Sequence, residues 1–363
     1  MNQQKQAKNV NHHKKIKGLL AVLVILIVAA VFVFASLYGT YQNLRANPLT
    51  AFNTAPPQAE ETDAINFDKN ANVKTVTIEG KKYTVNPNVI TVLMLGIDSD
   101  GSAAKTAQGE RSDMMLLCTV NLEEGQEGIT LTSLPRDTRT TVHDVDKETG
   151  KILDKNWITK LNHAYNIGGM TKGYGAENAM RATEDLIECD EQLSIPVQYY
   201  VSIDLEHLSD LADALGGVEV TLDQDYPDIG NKGDVVNLRG NDVRLYLQNR
   251  KQMDDGEMDR QRHEQNFMMA IARKIKEMGA VQSASKLFTQ LQDVVHMNLS
   301  LDQVVAMAGV LDKVSLDDIE HSVMEQGDYE NAHDEYMGQE LNFYMMDQQE
   351  LMDKMIGMYY TPA

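Results

Sequence analysis

Cysteine and basic residues are scarce in this chain, and each shortage excludes a class of protein. Two cysteines in 363 residues, Cys118 and Cys189, are too few for a disulfide scaffold. We interpret both as buried thiols, with one disulfide as the alternative. The 33 Lys and Arg residues are outnumbered by 54 Asp and Glu, which gives a net charge of −21 at pH 7. A surface of that charge is unsuited to a nucleic-acid backbone, and we expect no nucleic-acid partner.

Walker loops, Rossmann fingerprints and zinc-ligand spacings are also lacking. The glycine pairs Gly168-Gly169 and Gly216-Gly217 match no phosphate-loop fingerprint. Any affinity for phosphate therefore has to come from a local cluster of cationic side chains in a pocket.

The N-terminal region has the composition of a membrane anchor. Residues 1–17 contain five lysines and no acidic residue, whereas residues 18–44 contain no charge. A spanning helix needs about 20 apolar residues, and the central region of a cleaved signal peptide has only about 7–15. We expect a retained transmembrane helix at 18–41, with a cleaved signal peptide as the alternative. Because the lysines precede it, residues 1–17 are expected in the cytoplasm and the rest of the chain outside the cell membrane.

The rest of the chain predicts a linker followed by one large domain. Residues 42–73 contain three prolines and lack either periodicity, as is typical of an extracytoplasmic spacer. Residues 74–363 show no internal repeat and are long enough to bury one core. A hairpin is predicted at Val76–Val85, ahead of the first core strand.

Three predicted strands carry charged side chains at their ends. The strands are Thr91–Ile97, Met114–Val120 and Ile129–Leu134, and the first is apolar throughout, as is typical of a strand buried on both faces. The charges that border them are Asp98, Arg111, Asp113, Arg136 and Asp137. If the strands are neighbours, these groups meet at one edge of a sheet, where α/β proteins place their sites.

The combination of charges points to a cation and a phosphate group. Each charge alone is explained by a structural ion pair, such as Arg136 with Asp137, or by a turn cap at Asp98. Together, Asp98 and Asp113 need a cation, while Arg111 and Arg136 need anions. Mg²⁺ prefers one or two carboxylates plus substrate phosphates, and arginine binds phosphate through paired hydrogen bonds. The pattern therefore predicts Mg²⁺ together with a phosphate ester.

Several blocks resemble one known family in order and spacing. Leu93–Ser99, Arg111–Leu116 and Ser133–Thr138 resemble the LytR-CpsA-Psr family of cell-wall phosphotransferases. Thr159–Gly169, which is similar to the family's Lys-Ile-Asn-x-Ala-Tyr block, and Leu211–Val218 extend the resemblance. It implies an α/β fold, an α-β-α sandwich with a mixed central sheet, preceded by one N-terminal transmembrane helix.

The resemblance also implies a reaction. The donor would be a glycopolymer of the teichoic acid or capsular polysaccharide type on a polyprenyl-pyrophosphate carrier, and the acceptor a peptidoglycan hydroxyl. The cofactor would be Mg²⁺, with Mn²⁺ as a substitute. Two alternatives stay open: a polyprenyl-pyrophosphate hydrolase, with water as acceptor, and a non-enzymatic membrane-bound regulator of envelope synthesis. The acidic domain and its expected location speak against a DNA-binding regulator.

The resemblance assigns roles to particular residues. Asp98 and Asp113 would hold the metal. Arg111, Arg136 and Asp98 would be catalytic, Asp98 being in addition a weak candidate for the base. The substrate-binding residues would be Arg111, Arg136, Lys160, Gln248, Arg250, Arg260 and His263.

Two positions depart from the family pattern. The expected Arg-x-Arg has Gln248 in place of its first arginine, and the expected Arg-x-x-Arg has His263 in place of its second. Arg260 shares the apolar stripe of the predicted helix Glu257–Met278, so it needs an anion, either phosphate or a buried carboxylate. His263 would bind phosphate only while protonated. Donor affinity would therefore rise as the pH falls from about 8 to about 6. The alternative for His263 is a structural histidine.

The remaining segments are assigned mainly from periodicity. Val142–Asn156 is predicted to be a loop, and His163 a hydrogen-bonded structural histidine. Helices are predicted at Ala176–Cys189, Leu205–Leu215, Ala284–Val294, Leu301–Val314 and Gln348–Tyr359, and strands at Ile195–Ile203, Val218–Leu222 and Ser322–Glu325. The many methionines of the C-terminal half indicate adaptable core packing or, alternatively, a groove for an isoprenoid chain.

Overall fold

The computed structural model describes residues 42–44, 48–52, 75–78, 80–98, 110–169, 173–248, 256–291 and 293–363. The chain divides into two units, Met1–Asn47 and Pro48–Ala363. In the first unit the described residues, 42–44, are helical. The transmembrane helix expected at 18–41 lies outside the described residues. Among the residues that are described, no helix is both long enough and apolar enough to span a bilayer.

The second unit mixes strands and helices along the chain. Its strands are β1 (Thr75–Ile78), β2 (Lys81–Val85), β3 (Val89–Asp98), β4 (Arg111–Asn121), β5 (Gly128–Ser133), β6 (Arg139–Val145), β7 (Ile152–Lys160), β8 (Tyr199–Asp204), β9 (Val218–Thr221), β10 (Val235–Leu238), β11 (Val295–Met297), β12 (Glu320–Val323), β13 (Asp328–Asp334), β14 (Gln339–Met345) and β15 (Tyr360–Pro362). Its α-helices are α1 (His163–Gly168), α2 (Tyr174–Ile187), α3 (Leu208–Ala214), α4 (Asn241–Gln248), α5 (Gly256–Glu277), α6 (Ala280–Gln290), α7 (Leu301–Lys313) and α8 (Gln348–Tyr359). Short 3₁₀ helices lie at Pro48–Phe52, Leu205–His207 and Leu316–Asp318.

Six strands form the central sheet, in the order β11-β8-β3-β4-β5-β12. β4 runs antiparallel to β3 and β5, β8 is parallel to β3, β11 is antiparallel to β8, and β12 is parallel to β5. The expected mixed central sheet is therefore confirmed. β3 lies inside the sheet and is buried along almost its whole length, as its continuous apolar run predicts.

Helices cover both faces of this sheet. On one face, Leu93 and Ile97 of β3 belong to a core that includes residues of α1, α2 and α8. On the other face, Val92 and Met94 line a cavity together with residues of α3, α5, α6 and α7. The alternation of side chains along β3 thus supplies apolar contacts to two separate helical layers.

In the described part of the chain, four smaller sheets accompany the central one. The hairpin predicted at Val76–Val85 is confirmed as β1 and β2, and β15 adds a third strand to it. The pairs β6–β7, β9–β10 and β13–β14 are antiparallel. The prediction of a loop at Val142–Asn156 is wrong, because most of this segment lies in β6 and β7. Residues 152–156 of β7 are all exposed, so no alternation of apolar and polar residues indicated a strand.

Several boundaries of the predicted elements also differ from the structure. β8 begins at Tyr199, four residues after the predicted start at Ile195. β9 pairs with β10, a strand that the sequence analysis did not predict. The turn before β9 uses Gly216 and Gly217 with φ of 81° and 92°, a conformation that favours glycine.

Part of the expected linker is packed within the second unit. Phe52, at the end of the 3₁₀ helix Pro48–Phe52, is 1% exposed. Its ring contacts the ring of Tyr199 edge-on, with centroids 5.6 Å apart. Residues 53–74 lie outside the described residues.

The two cysteines are buried free thiols. Burial raises the pKa of Cys118 to about 12 and that of Cys189 to about 11. Neither thiol forms a reactive thiolate at neutral pH. The interpretation as structural residues is confirmed, and the alternative of a disulfide is wrong.

Candidate active site

The charged residues predicted at the strand ends lie together at one edge of the central sheet. Asp98, the last residue of β3, is opposite Arg111, the first residue of β4. β5 runs antiparallel to β4 and ends opposite its first half, so the turn after β5 returns to the same edge. That turn carries Arg136 and Asp137. The prediction that the three strands are neighbours is confirmed.

A β-bulge marks the position of Asp113. Gly96 is opposite Met114 and Ile97 is opposite Ser112, so Asp113 is the extra residue in β4. Bulges bend a strand and redirect a side chain, and they are common beside active sites. A Cβ on Gly96 would lie 2.8 Å from the Cβ of Met114, which is closer than two such atoms pack. Glycine at position 96 therefore permits the close approach of β3 and β4 at the bulge.

Asp113 is a buried carboxylate surrounded by donors. Its side chain is 4% exposed and accepts a hydrogen bond from Arg136 Nη1, whose side chain is 13% exposed. Asn162 Nδ2 lies 3.3 Å from Asp113 Oδ1, and Arg111 Nε lies 4.0 Å from the same oxygen. A buried carboxylate is stable only when charged or polar partners replace water. These contacts hold Arg136 and Asp113 in a fixed mutual geometry.

A second carboxylate extends the cluster toward β7. Lys160 Nζ donates to Asp137 Oδ1 at 2.9 Å, and Arg136 Nε lies 3.9 Å from Asp137 Oδ2. The Asp137 and Lys160 side chains are 18% and 15% exposed. We call Arg111, Asp113, Arg136, Asp137 and Lys160 the charge cluster. It alternates in sign and contains three cations for two carboxylates.

Backbone hydrogen bonds fix the turn that carries Arg136. The Asn162 amide donates to the Arg136 carbonyl at 3.1 Å, and the Tyr344 amide of β14 donates to the Asp137 carbonyl at 2.9 Å. Rigid support of this kind preorganises a guanidinium for an anion. The β13–β14 hairpin, which the sequence analysis did not predict, therefore positions the turn.

Three carboxylates crowd the opposite side of the same edge. Asp204, the last residue of β8, is paired with Ile97 of β3 in the parallel register. Burial raises the pKa of Asp204, and the Asp98 carboxylate adds to that rise. Burial likewise raises the pKa of Glu110, with Asp204 as the second cause. Negative charge is therefore concentrated around Asp98.

This concentration of charge suits a divalent cation. Asp98 and Asp113 come from adjacent strands, and their oxygens are the ligands that Mg²⁺ prefers together with substrate phosphates. Within the described part of the chain, no group of three or more His, Cys, Asp and Glu side chains forms a metal site by itself. The carboxylates of Asp98 and Asp113 have the donor chemistry for a cation that is completed by substrate oxygens, and this assignment stays a prediction.

An apolar cavity of about 880 Å³ lies against the central sheet, on the face that carries Met94 of β3 and Met114 of β4. Helices α3, α5, α6 and α7 form the opposite wall. Its methionines are Met94, Met114, Met268, Met269, Met297 and Met307. The volume is that of a ligand pocket, and unbranched thioethers adapt to a flexible ligand.

The structure describes the other predicted binding residues only in part. Gln248 is the last residue of α4, and Arg260 lies in the first half of α5. The side chains of these two residues and all of Arg250 lie outside the described atoms. Their roles stay predictions.

His263 is buried beside a carboxylate. Its side chain is 1% exposed, and Nε2 lies 2.8 Å from Asp223 Oδ2. The Tyr226 hydroxyl lies 3.2 Å from the same nitrogen, and the Tyr246 ring centroid is 5.0 Å away. These partners belong to β9–β10 and α4 and their loops, and not to the charge cluster. The expected contact of His263 with phosphate stays a prediction.

Asn162 was not predicted as a site residue, although it lies in the segment Thr159–Gly169 that resembles the family. It is the N-cap residue of α1, yet its side chain forms no capping hydrogen bond, which is the usual role of asparagine there. The amide instead contacts Asp113, and Oδ1 has no hydrogen-bond partner among the described residues. The sequence does not show that the Asn162 side chain leaves the helix cap and contacts Asp113 instead.

The fold and the charge cluster agree with a known family. The chain matches the LytR_cpsA_psr family over residues 51–352, and it belongs to that family. It is 33% identical over 242 residues to the polyisoprenyl-teichoic acid–peptidoglycan teichoic acid transferase TagU of Enterococcus faecalis, which covers 64% of this chain and 70% of that protein. It is 28% identical over 221 residues to TagU of Bacillus mycoides, covering 60% of this chain and 63% of that protein. The match thus spans less than two thirds of the latter relative.

Solved structures share the fold. The protein Lin1025 of Listeria innocua superposes with a TM-score of 0.54 at 25% identity, covering 74% of this chain and 95% of that one. TagT bound to LIIa-WTA superposes with a TM-score of 0.54 at 22% identity, covering 75% of this chain and 89% of that one. At the latter identity the likeness shows the fold alone.

Proposed function

We propose that the protein transfers a glycopolymer from a polyprenyl-pyrophosphate carrier to a peptidoglycan hydroxyl. The observation that carries the proposal is that β4 contributes to both features of the site, to the charge cluster through Asp113 and to the lining of an apolar cavity through Met114. A lipid pyrophosphate needs both features, cations for its phosphates and an apolar cavity for its chain. The names of the TagU relatives and the LIIa-WTA bound to TagT support a teichoic acid type of polymer.

The cluster residues have distinct tasks in this reaction. Arg111, Arg136 and Lys160 bind the pyrophosphate oxygens and stabilise the charge that grows on the leaving polyprenyl phosphate. Asp113 and Asp137 hold these cations in place, so little reorganisation is needed when the donor arrives. Arg250, Arg260, Gln248 and His263 are proposed to contact the donor from α4, α5 and the segment between them.

Asp98 and Asp113 are proposed to hold Mg²⁺, or Mn²⁺, against the donor. A bound cation neutralises phosphate charge and so makes the phosphorus easier to attack. The protein contributes the position of the two carboxylates, one on each of two adjacent strands.

The cavity is proposed to hold the isoprenoid chain. Its lining is apolar on the sheet side and the helix side, and its six methionines adjust to a chain of many conformers. The sequence analysis offered two explanations for the many methionines, core packing and a groove for an isoprenoid chain. The volume of this cavity supports the groove.

The protein is proposed to be a single-pass membrane protein with its C-terminal domain outside the cell. The lysines before an uncharged run and the acceptor's location support this topology. Protease added to wall-stripped cells should digest the domain and spare residues 1–17. Protection of the domain would overturn both the location and the acceptor.

The test of function uses the full chain in detergent with Mg²⁺, a polyprenyl-pyrophosphate glycan and peptidoglycan fragments. Polyprenyl phosphate and a phosphodiester-linked glycan should appear in equal amounts. If polyprenyl phosphate is released together with an equal amount of free glycan phosphate, and no glycan is linked to peptidoglycan, the protein is a hydrolase. No turnover under any condition would favour the regulator.

A further inference from the structure

A buried relay of three side chains ends at His163. His163 Nδ1 lies 2.6 Å from Thr159 Oγ1, which lies 2.8 Å from Asp334 Oδ2. A carboxylate only accepts, so the single hydroxyl proton of Thr159 is donated to Asp334. Thr159 Oγ1 then accepts from His163 Nδ1–H. In the neutral ring, the lone pair is therefore on Nε2.

The far end of the relay is rigid. Asp334, the last residue of β13, is fully buried, and its Oδ1 accepts from the Met337 amide at 2.7 Å. The Tyr336 ring lies against His163 with centroids 5.9 Å apart, and its hydroxyl donates to Asn166 Oδ1 at 2.5 Å. The β13–β14 hairpin thus fixes both the tautomer and the orientation of the imidazole.

The relay stands next to the charge cluster. Asn162, the preceding residue, contacts Asp113, and Lys160, three residues earlier, contacts Asp137. Apart from Asp334, the charges that act on the His163 ring are those of Arg111, Lys160 and Asp137. Among the described residues, every hydrogen bond of the ring is made by Nδ1.

The imidazole is neutral at physiological pH. Burial, together with the charges of Arg111 and Lys160, lowers its pKa to about 4, and the carboxylates of Asp334 and Asp137 oppose this shift. A donor phosphate paired with Arg111 and Lys160 would remove their part of this lowering.

We propose that His163 is the general base that takes the proton of the acceptor hydroxyl, with Thr159 and Asp334 as positioning residues. The inference rests on the proposed transferase function. The acceptor O–H bond breaks and its proton goes to Nε2, while the acceptor oxygen bonds to the phosphorus that carries the glycopolymer. The bond from that phosphorus to the bridging oxygen breaks, and the electron pair leaves with polyprenyl phosphate. The proton passes to this phosphate, and Asp98 remains a cation ligand.

The test uses the full chain, a Mg²⁺-loaded donor and two simple alcohols as surrogate acceptors. His163→Asn keeps an N–H close to the position of Nδ1 for Thr159 but has no basic nitrogen. With ethanol, transfer should fall about 100-fold or more, while the dissociation constant of the donor stays unchanged. With trifluoroethanol, whose proton is far more acidic, the deficit should shrink at least about tenfold. Asp334→Asn should show a smaller deficit with the same dependence on the alcohol.

The outcomes separate the inference from the function on which it rests. If the parent protein transfers to neither alcohol nor peptidoglycan, the transferase proposal fails. If the parent transfers and His163→Asn matches it, or shows the same deficit with both alcohols, His163 is structural and the inference fails. Should His163→Asn fold poorly, Thr159→Val serves in its place, since it frees the tautomer without touching the cluster. An alcohol-independent deficit in that variant would also overturn the inference.

Discussion

Removal of the Arg136 guanidinium tests how the site is held together. In Arg136→Met the buried Asp113 carboxylate loses its closest donor, while Asn162 at 3.3 Å and Arg111 at 4.0 Å remain. Breaking a buried ion pair from one side costs about 3–5 kcal/mol. Because these partners remain, we expect the lower end, about 3 kcal/mol of unfolding free energy. Transfer should fall by about 100-fold or more, since Arg136 is also proposed to bind the donor phosphates.

The variant Arg136→Met with Asp113→Leu separates stability from activity. Without the carboxylate, the buried negative charge that lost its partner is gone, so at least half of the lost stability should return. Transfer should stay absent. Urea unfolding can be followed through the fluorescence of Trp157, the single tryptophan of the chain, which lies in β7 with Lys160. If the single variant is as stable as the parent, or the double variant is no more stable than the single one, the pair is not the support that we describe.

Three further predictions concern the cation, the cavity and a buried acid. Asp98→Asn should weaken Mn²⁺ binding measured by electron paramagnetic resonance, whereas the exposed control Glu148→Gln should not; equal affinity would remove Asp98 from the cation site. Ala272→Trp should fill the cavity and lower the amount of lipid that copurifies with the protein, whereas Ala272→Ser should not. Burial raises the pKa of Glu184 to about 7, so its stabilising protonation is present below about pH 4.5 and is lost as the pH rises through about 7. Glu184→Gln should therefore be more stable than the parent at pH 8 by about 1–3 kcal/mol, and by much less at pH 4.5.

Apolar runs predicted the part of the fold on which the site is built. Buried central strands such as β3 have a continuous apolar pattern, so their ends, and the charges beyond them, were readable. In the β6–β7 and β13–β14 hairpins, strands β7 and β13 are largely exposed, and no period of two indicated them. Because β14 holds the Asp137 carbonyl and β13 supplies Asp334, support of the site from these hairpins could not be predicted.

The pairing inside the site was equally hidden. Arg136 was expected to pair with Asp137, its neighbour in sequence, or to bind phosphate. Its closest described contact is with Asp113, because a one-residue bulge in β4 brings that carboxylate to the turn. A bulge adds one residue to a strand without changing the apolar character of that strand. The sequence pattern therefore does not show where the bulge lies.

The charge balance of the site leads to the last prediction. Arg111, Arg136 and Lys160 are matched by Asp98, Asp113 and Asp137, so this set is neutral before the donor binds. A pyrophosphate diester adds about two negative charges, which a divalent cation or further arginines have to offset. Gln248 carries no charge, and His263 already faces Asp223 at 2.8 Å.

We therefore expect donor affinity to depend steeply on the cation in this chain. Chelation should weaken donor binding at least about tenfold, and Gln248→Arg should restore part of the affinity in the chelator, because it adds one positive charge at the end of α4. Gln248→Met has a similar size but no charge, so it serves as the control. Isothermal titration with a short-chain polyprenyl-pyrophosphate glycan measures both effects. Affinity that is unchanged by chelation would mean that Arg250 and Arg260 already balance the pyrophosphate, and Gln248→Arg would then have no deficit to repair.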